Sequence, residues 1–104
     1  GTGEQKRQFI FVKDLVEGCI STLSDKASNE IFNLVGEKMI SVKDVAETVA
    51  NLIPGTKVEF VPEREGELGY RHVSSDKIKQ MLDWSPSTTF DTGVKKTIDW
   101  YKTK

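Results

Sequence analysis

No hydrophobic pattern in this chain is long enough to build a large sheet. The apolar run Phe9-Ile10-Phe11-Val12 stops at Lys13, and a short run bounded by polar residues reads as a buried strand. Residues 31–35 are β-rich and apolar and predict a second strand. Residues 57–61 alternate, with Val58 and Phe60 on one side, and predict a third. The intervening stretches carry helical signals. Val16, Cys19, Ile20 and Leu23 recur at helical spacing and predict a helix over 13–24, with Asp14 capping or charging its start. Residues 24–30 read as a turn. Ser41, followed at the third position by Asp44, is a capping-box pattern; Val42, Val45, Ala46, Val49 and Ile53 share one face, and Pro54-Gly55 ends the helix. Ser74 or Ser75 caps a short helix that runs to Leu82 and stops at Trp84-Ser85-Pro86. Thr89 caps the last helix, whose inner face carries Val94, Ile98 and Tyr101 and whose lysines Lys95, Lys96 and Lys102 lie toward its C-terminal end.

Short strands separated by helices predict an α+β lobe of about three short strands and about four helices, one unit over residues 1–104, packing against something else. The core is expected to draw on Phe9, Phe11, Val16, Ile20, Phe32, Leu34, Val45, Val49, Ile53, Phe60, Leu82, Trp84, Ile98 and Trp100, the apolar residues at inner-face spacing. A hydrophobic content of 37% beside a charged content of 30% fits a folded domain. A chain of this length is expected to bury roughly 65% of its unfolded surface.

The formal net charge is −1 with acids and bases interspersed, so no field exists to draw nucleic acid or an anionic membrane. No apolar run approaches a transmembrane span. The polar start, Gly1 to Arg7, contains no signal-peptide core and no initiator Met; it reads as the start of an excised segment or of a tag-processed chain. Cys19 is the only cysteine, which rules out an internal disulfide and makes a reducing cytoplasm the expected compartment. Its place on an apolar helix face predicts a buried, inert thiol.

A self-contained active site is not in view. His72 has no partnered nucleophile, so a triad is not expected, and a loop histidine at a surface or interface is the simpler reading. One Cys and one His far apart do not make a metal site. Gly1-Thr2-Gly3 is not followed directly by a helix and is no dinucleotide fingerprint. What remains is Arg7, ending the first loop, and Arg64, in Arg64-Glu65-Gly66-Glu67 just after residues 57–61. Guanidinium groups on rigid elements grip phosphate oxygens bidentately, and a carboxylate such as Glu67 accepts from sugar hydroxyls. Solvated surface arginines are the competing reading.

The stretch from Gly1 to Gly18, GTGEQKRQFIFVKDLVEG, resembles the pattern G-x-G-x-Q-x-R-D-F-[IV]-[YH]-V-x-D-[LV]-[AV]-x-[GA] of the extended short-chain dehydrogenase/reductase enzymes, the NAD-dependent epimerase/dehydratase family whose members include UDP-glucose 4-epimerase. Phe32-Asn33-Leu34 is similar to its [FY]-N-[LIV], Arg64-Glu65-Gly66-Glu67 to R-x-G-[DE], and Lys77 with Leu82-Asp83-Trp84-Ser85-Pro86 to S-K-x-x-x-x-L-G-W-x-P. The final helix resembles the family's closing G-[LIV]-x-x-[TA]-[LIV]-x-W-[YF]. The likeness covers essentially the whole chain, in order. Departures are Gln8 for Asp, which removes a local charge interaction, Val35-Gly36-Glu37 in the turn after Asn33, Ser74 for Asp, and Asp83 for the Gly that ends a helix.

The resemblance implies the C-terminal substrate lobe of a Rossmann-type enzyme: an isomerase or lyase whose missing N-terminal half holds NAD or NADP and the catalytic Tyr-x-x-x-Lys pair. It implies that Arg7 and Arg64 contact the diphosphate of a nucleoside-diphosphate sugar, that Glu67 takes the ribose-binding place, that Gln5 lines the nucleotide pocket, and that Asn33 ties neighbouring loops. By that reading this chain binds no cofactor and has no turnover alone, and its uncovered apolar surface favours self-association. Alternatives are a binding or regulatory module that kept the fold but lost the ligand, and the substrate lobe of an extended-family reductase acting on a non-nucleotide carbonyl. The two arginines speak against the first, and the Arg-x-Gly-Glu loop against the second.

Overall fold

A computed structural model describes residues 1–66 and 71–104. The elements run β1 (Lys6–Gln8), α1 (Val12–Ser21), a 3₁₀ turn (Asp25–Ala27), β2 (Met39–Ser41), α2 (Val42–Leu52), α3 (Asp76–Leu82) and α4 (Phe90–Lys102). β1 and β2 pair antiparallel, with Arg7 opposite Ile40. The α+β class and the helices stand as expected. The strands do not: among the described residues there are two, and neither is one of the three read from the sequence. Residues 9–11 lead into α1, and residues 31–35 and 57–61 form no ladder. A strand needs a partner edge as well as an apolar run, and the polar Lys6–Gln8 is the stretch that finds one.

The helix ends follow local chemistry. Ser41 Oγ accepts from Asp44 N at 3.0 Å, and Thr89 Oγ1 from Thr92 N at 3.3 Å. Ser74 Oγ accepts from Asp76 N at 3.1 Å at the start of α3. Ser75, the N-cap residue itself, instead uses its hydroxyl to accept from Val35 N at 3.0 Å. Asp83 closes α3 in the left-handed region at φ 53°, so aspartate occupies the conformation that the expected glycine would supply.

The packing corrects the predicted core. Trp84 and the fully enclosed Ile78 are the buried large hydrophobics among the described residues, and Ile78 was not foreseen. Phe9, Val16, Ile20, Ile53, Phe60 and Trp100 are exposed, as is Tyr101 on α4; Cys19 is exposed as well. The reason is clearest on α1, whose buried residues are Asp14 and Gly18. They are one turn apart and form its inner face. Trp84 lies against Gly18, where an added Cβ would come within 2.8 Å of the indole and would also strike Leu34. The apolar stripe of Val12, Val16 and Ile20 consequently faces outward. Asp14 does not cap α1: Phe11 is the N-cap residue and makes no side-chain cap.

The consequence is a thin, open lobe. Its radius of gyration is 16.3 Å, against about 13 Å for a compact domain of this length. Its accessible surface is 8098 Å², against about 5,900 Å² for a compact monomer of this mass. The chain thus buries about half of its unfolded surface rather than the expected roughly 65%.

Candidate functional site

The first five residues wrap the start of α2. Gly3 O accepts from Lys43 N and Gln5 O from Val42 N, each at 2.8 Å. With Ser41 on the Asp44 amide, the first-turn N–H groups that would otherwise greet an anion are taken up inside the protein. The same segment meets the stretch leading to Arg64: the Gly1 amino group donates to Val61 O at 2.7 Å, and Gly1 lies against the Glu63 side chain.

Arg7 sits half-buried in β1, between Lys6 and Gln8 and opposite Ile40. Among its contacts, Nη1 donates to Lys6 O at 2.9 Å. Gln5 is half-buried at the end of the wrapping loop, and Arg64 is exposed. Among the described residues, the Gly1–Val61 hydrogen bond links the segment that leads to Arg7 with the one that leads to Arg64. Glu67 lies outside the described residues. Asn33 is exposed, and no hydrogen bond of its side chain occurs among the described residues, so the expected loop tie is not made there. His72 is exposed too. Among the described residues no cluster of His, Cys, Asp or Glu could hold a metal ion, and no helix is long and apolar enough to cross a membrane.

Two side chains do more than the sequence disclosed. Gln8 Nε2 donates to Gly36 O and Val73 O, and Gln8 Oε1 accepts from Val73 N, each at 2.8 Å. The position that seemed only to lack a charge is a three-way tie. Phe9 O packs against Gly36 so closely that any Cβ there would overlap it. Asp14, 2% exposed, accepts from Ser87 Oγ at 3.2 Å, Thr88 N at 2.8 Å and Thr88 Oγ1 at 3.1 Å. Burial is the largest single influence on its carboxyl and pushes the pKa up. The bonds from Thr88 and Ser87 together outweigh it and hold the group below the ordinary aspartate value. Gln8 and Val73 are 65 positions apart, and nothing local in the sequence announces the contact.

A groove of about 610 Å³, lined chiefly by Phe9, Phe11, Val49, Ile53, Val94 and Ile98, runs between α2 and α4. Its lining is chiefly apolar, with Lys102 and three threonines among it, and includes neither arginine.

Comparison with known proteins supplies the context. The dTDP-glucose 4,6-dehydratase of Shigella flexneri is 28% identical over 110 residues, covering 97% of this chain and 30% of that protein. The UDP-N-acetyl-alpha-D-glucosaminuronate decarboxylase of Bacillus cytotoxicus is 30% identical over 109 residues, covering 98% and 34%. Among solved structures, a Bordetella bronchiseptica enzyme in complex with NAD+ and UDP superposes with a TM-score of 0.81 at 29% identity, covering 97% of this chain and 31% of that one. The chain thus spans about a third of the length of the relatives it matches. The family described as GDP-mannose 4,6 dehydratase matches residues 1–97, and the chain belongs to that family of extended short-chain dehydrogenase/reductase enzymes.

Proposed function

We propose that this chain is the nucleotide-sugar-binding portion of an NAD- or NADP-dependent epimerase or dehydratase and has no turnover by itself. The observation that carries the reading is the family match over residues 1–97 by a chain spanning only a third of its relatives. The relatives named above act on, or hold, nucleoside diphosphates or their sugars, although their reactions differ. The shared task is to grip the diphosphate. Arg7 on β1 and Arg64 on the neighbouring loop supply charge-assisted hydrogen bonds to its oxygens; Glu67 takes the ribose hydroxyls, and Gln5 lines the nucleotide pocket.

A nicotinamide bound in a cofactor half would supply the hydride chemistry, and no residue of this chain is assigned to hold it. This chain's residues orient the sugar toward it and keep the diphosphate charge compensated. The excess surface and the outward stripe of Val12, Val16 and Ile20 support a second lobe lying over this one. Without that cover the isolated chain is expected to self-associate, which sedimentation at high concentration checks. It is also expected to show no NAD binding in calorimetry, because its sequence contains neither the glycine motif nor the Tyr-x-x-x-Lys pair. Tight NAD binding by these 104 residues would overturn the proposed division of labour.

The central test is Arg64→Ala in the full-length protein, titrated with UDP-glucose and dTDP-glucose. A charge-assisted bond is worth about 1.5–3 kcal/mol, so affinity should fall about tenfold or more. The melting temperature should stay within a degree or so, because an exposed arginine adds little to stability. Arg7→Ala should weaken binding similarly, and the double variant should lose less than the sum, since both act on one ligand. Unchanged affinity would defeat the clamp and leave a non-catalytic binding module as the reading.

A further inference from the structure

We infer that residues 31–35 are a sheet edge and that, in the 104-residue chain, a second copy of the chain pairs with it across a two-fold axis at Asn33, with α1 beside α1. The segment has the composition of a strand but no ladder partner among the described residues. Its exposure alternates from Ile31 to Leu34: Ile31 and Asn33 are exposed, Phe32 and Leu34 half-buried. Successive residues of an extended chain turn their N–H and C=O groups to opposite edges. The edge of Ile31 and Val35 is closed from the start of α3. Lys77 Nζ donates to Ile31 O at 2.9 Å, and the Ser75 hydroxyl accepts from Val35 N at 3.0 Å and donates to Val35 O at 3.3 Å. The N–H and C=O groups of Phe32 and Leu34, on the other edge, make no hydrogen bond among the described residues. Unpaired backbone groups in such a row are a template for another strand.

The free edge is complementary to itself. In an antiparallel ladder centred on Asn33, Phe32 of each copy faces Leu34 of the other, and each such pair exchanges both of its N–H···O bonds. Leu34 lies against Gly18 of α1, so the two-fold axis brings both copies of α1 to one face of the ladder. There α1 offers Val12, Leu15, Val16, Cys19 and Ile20, which fall within one arc of the helix and are all exposed.

Charge and area select a second copy as the occupant. A two-fold contact sets residues near the axis against their own counterparts, so a charged face repels itself. The arc is uncharged, with Lys13 and Glu17 outside it, and the charges next to the strand, Glu30 and Lys77, compensate each other at 2.7 Å. The accessible surface of 8098 Å² exceeds that of a compact monomer by more than the roughly 800 Å² per partner that a stable interface needs. Leu23, just past α1, and Ile31, at the start of the strand, are 82% and 85% exposed. In a longer chain a covering lobe would take the same face. The pairing therefore belongs to the 104-residue chain and does not depend on the nucleotide-sugar reading.

The test is sedimentation equilibrium of the 104-residue chain, with amide hydrogen exchange at low and high protein concentration. A single monomer–dimer step is expected. The Phe32 and Leu34 amides should slow about tenfold or more at the higher concentration, while the Asn33 amide, which points to the other edge, stays fast. Asn33→Asp and Asn33→Lys each place like charges opposite one another across the axis. Asn33 is exposed, so the monomer should keep its stability, and each change should weaken the dimer about fivefold. An equimolar mixture of the two variants sets Asp against Lys and should regain the wild-type affinity, as a contact away from Asn33 would not. If either variant fails to fold, exchange in the wild type decides alone.

A monomer at every concentration would overturn the pairing and leave the edge to a partner outside these residues. Association that leaves the Phe32 and Leu34 amides unprotected, or that the charges at Asn33 do not alter, would overturn it as well.

Discussion

Replacing Trp84 with alanine in the 104-residue chain is expected to cost about 3–5 kcal/mol, the range for truncating a fully buried large aromatic. The chain has little else to rely on. Trp84 and Ile78 are its buried large hydrophobics among the described residues, and total stability for a domain of this size is only about 5–15 kcal/mol. The indole also donates from Nε1 to Asp14 O at 3.2 Å, so truncation empties the contact between α1 and the 83–89 segment and removes a hydrogen bond together. Chemical denaturation with a lowered midpoint, or a chain already unfolded without denaturant, is the expected result. Trp100→Ala is the internal control: at 55% exposure it should move stability by no more than about 0.5 kcal/mol. Equal effects at the two tryptophans would mean that burial at Trp84 is not what holds α1 in place. Phe32, expected from the sequence to match Trp84, is half-buried with the Lys77 ammonium 5.2 Å from its ring centre, and should fall between them.

The helices were legible because their signals are local. Ser41 and Thr89 cap as their spacing implied, and Asp83 ends α3 in the conformation its substitution for glycine required. The strands were not, because pairing is decided by what lies across from a segment. Residues 31–35 and 57–61 have the composition of strands but no ladder partner among the described residues, whereas Lys6–Gln8, with no apolar signature, pairs with Met39–Ser41.

The core reading failed on α1 for a related reason. Helical periodicity identifies which residues share a face but not which face is covered. The apolar stripe was assigned inward; the structure turns Asp14 and Gly18 inward instead, because a small residue and a satisfiable carboxylate are what the Trp84 side can accept. The arginines were visible as a pair of candidates, and the Gly1–Val61 hydrogen bond links the segments that lead to them. Gln8 was visible only as a departure from a pattern. Its role depends on a partner at Val73, which no local window contains.

The second large effect is expected at Asp14. Its carboxylate is enclosed and joins α1 to the segment before α4 through Ser87 and Thr88. Hydrogen bonds to a charged group are worth about 1.5–3 kcal/mol each but do not add fully within one network. Asp14→Ala should therefore destabilise the chain by about 2–4 kcal/mol, leaving the Thr88 N–H without its acceptor. Asp14→Asn keeps the shape but turns an amide N–H toward donors, and should recover only part of the loss. The sign with pH follows from the direction of the shift. The folded carboxyl titrates below the ordinary value of about 3.9, so its contribution is complete above that value. It disappears as pH falls through the folded pKa, because protonation removes the charge that Ser87 and Thr88 are bonded to. Wild type should thus lose stability over that acid interval, while Asp14→Asn, already weakened at neutral pH, should lack this part of the acid dependence. Stability curves for the two proteins that remain parallel from neutral pH to below 3.9 would show that Asp14 is not the group whose charge fastens α1 to the rest of the lobe.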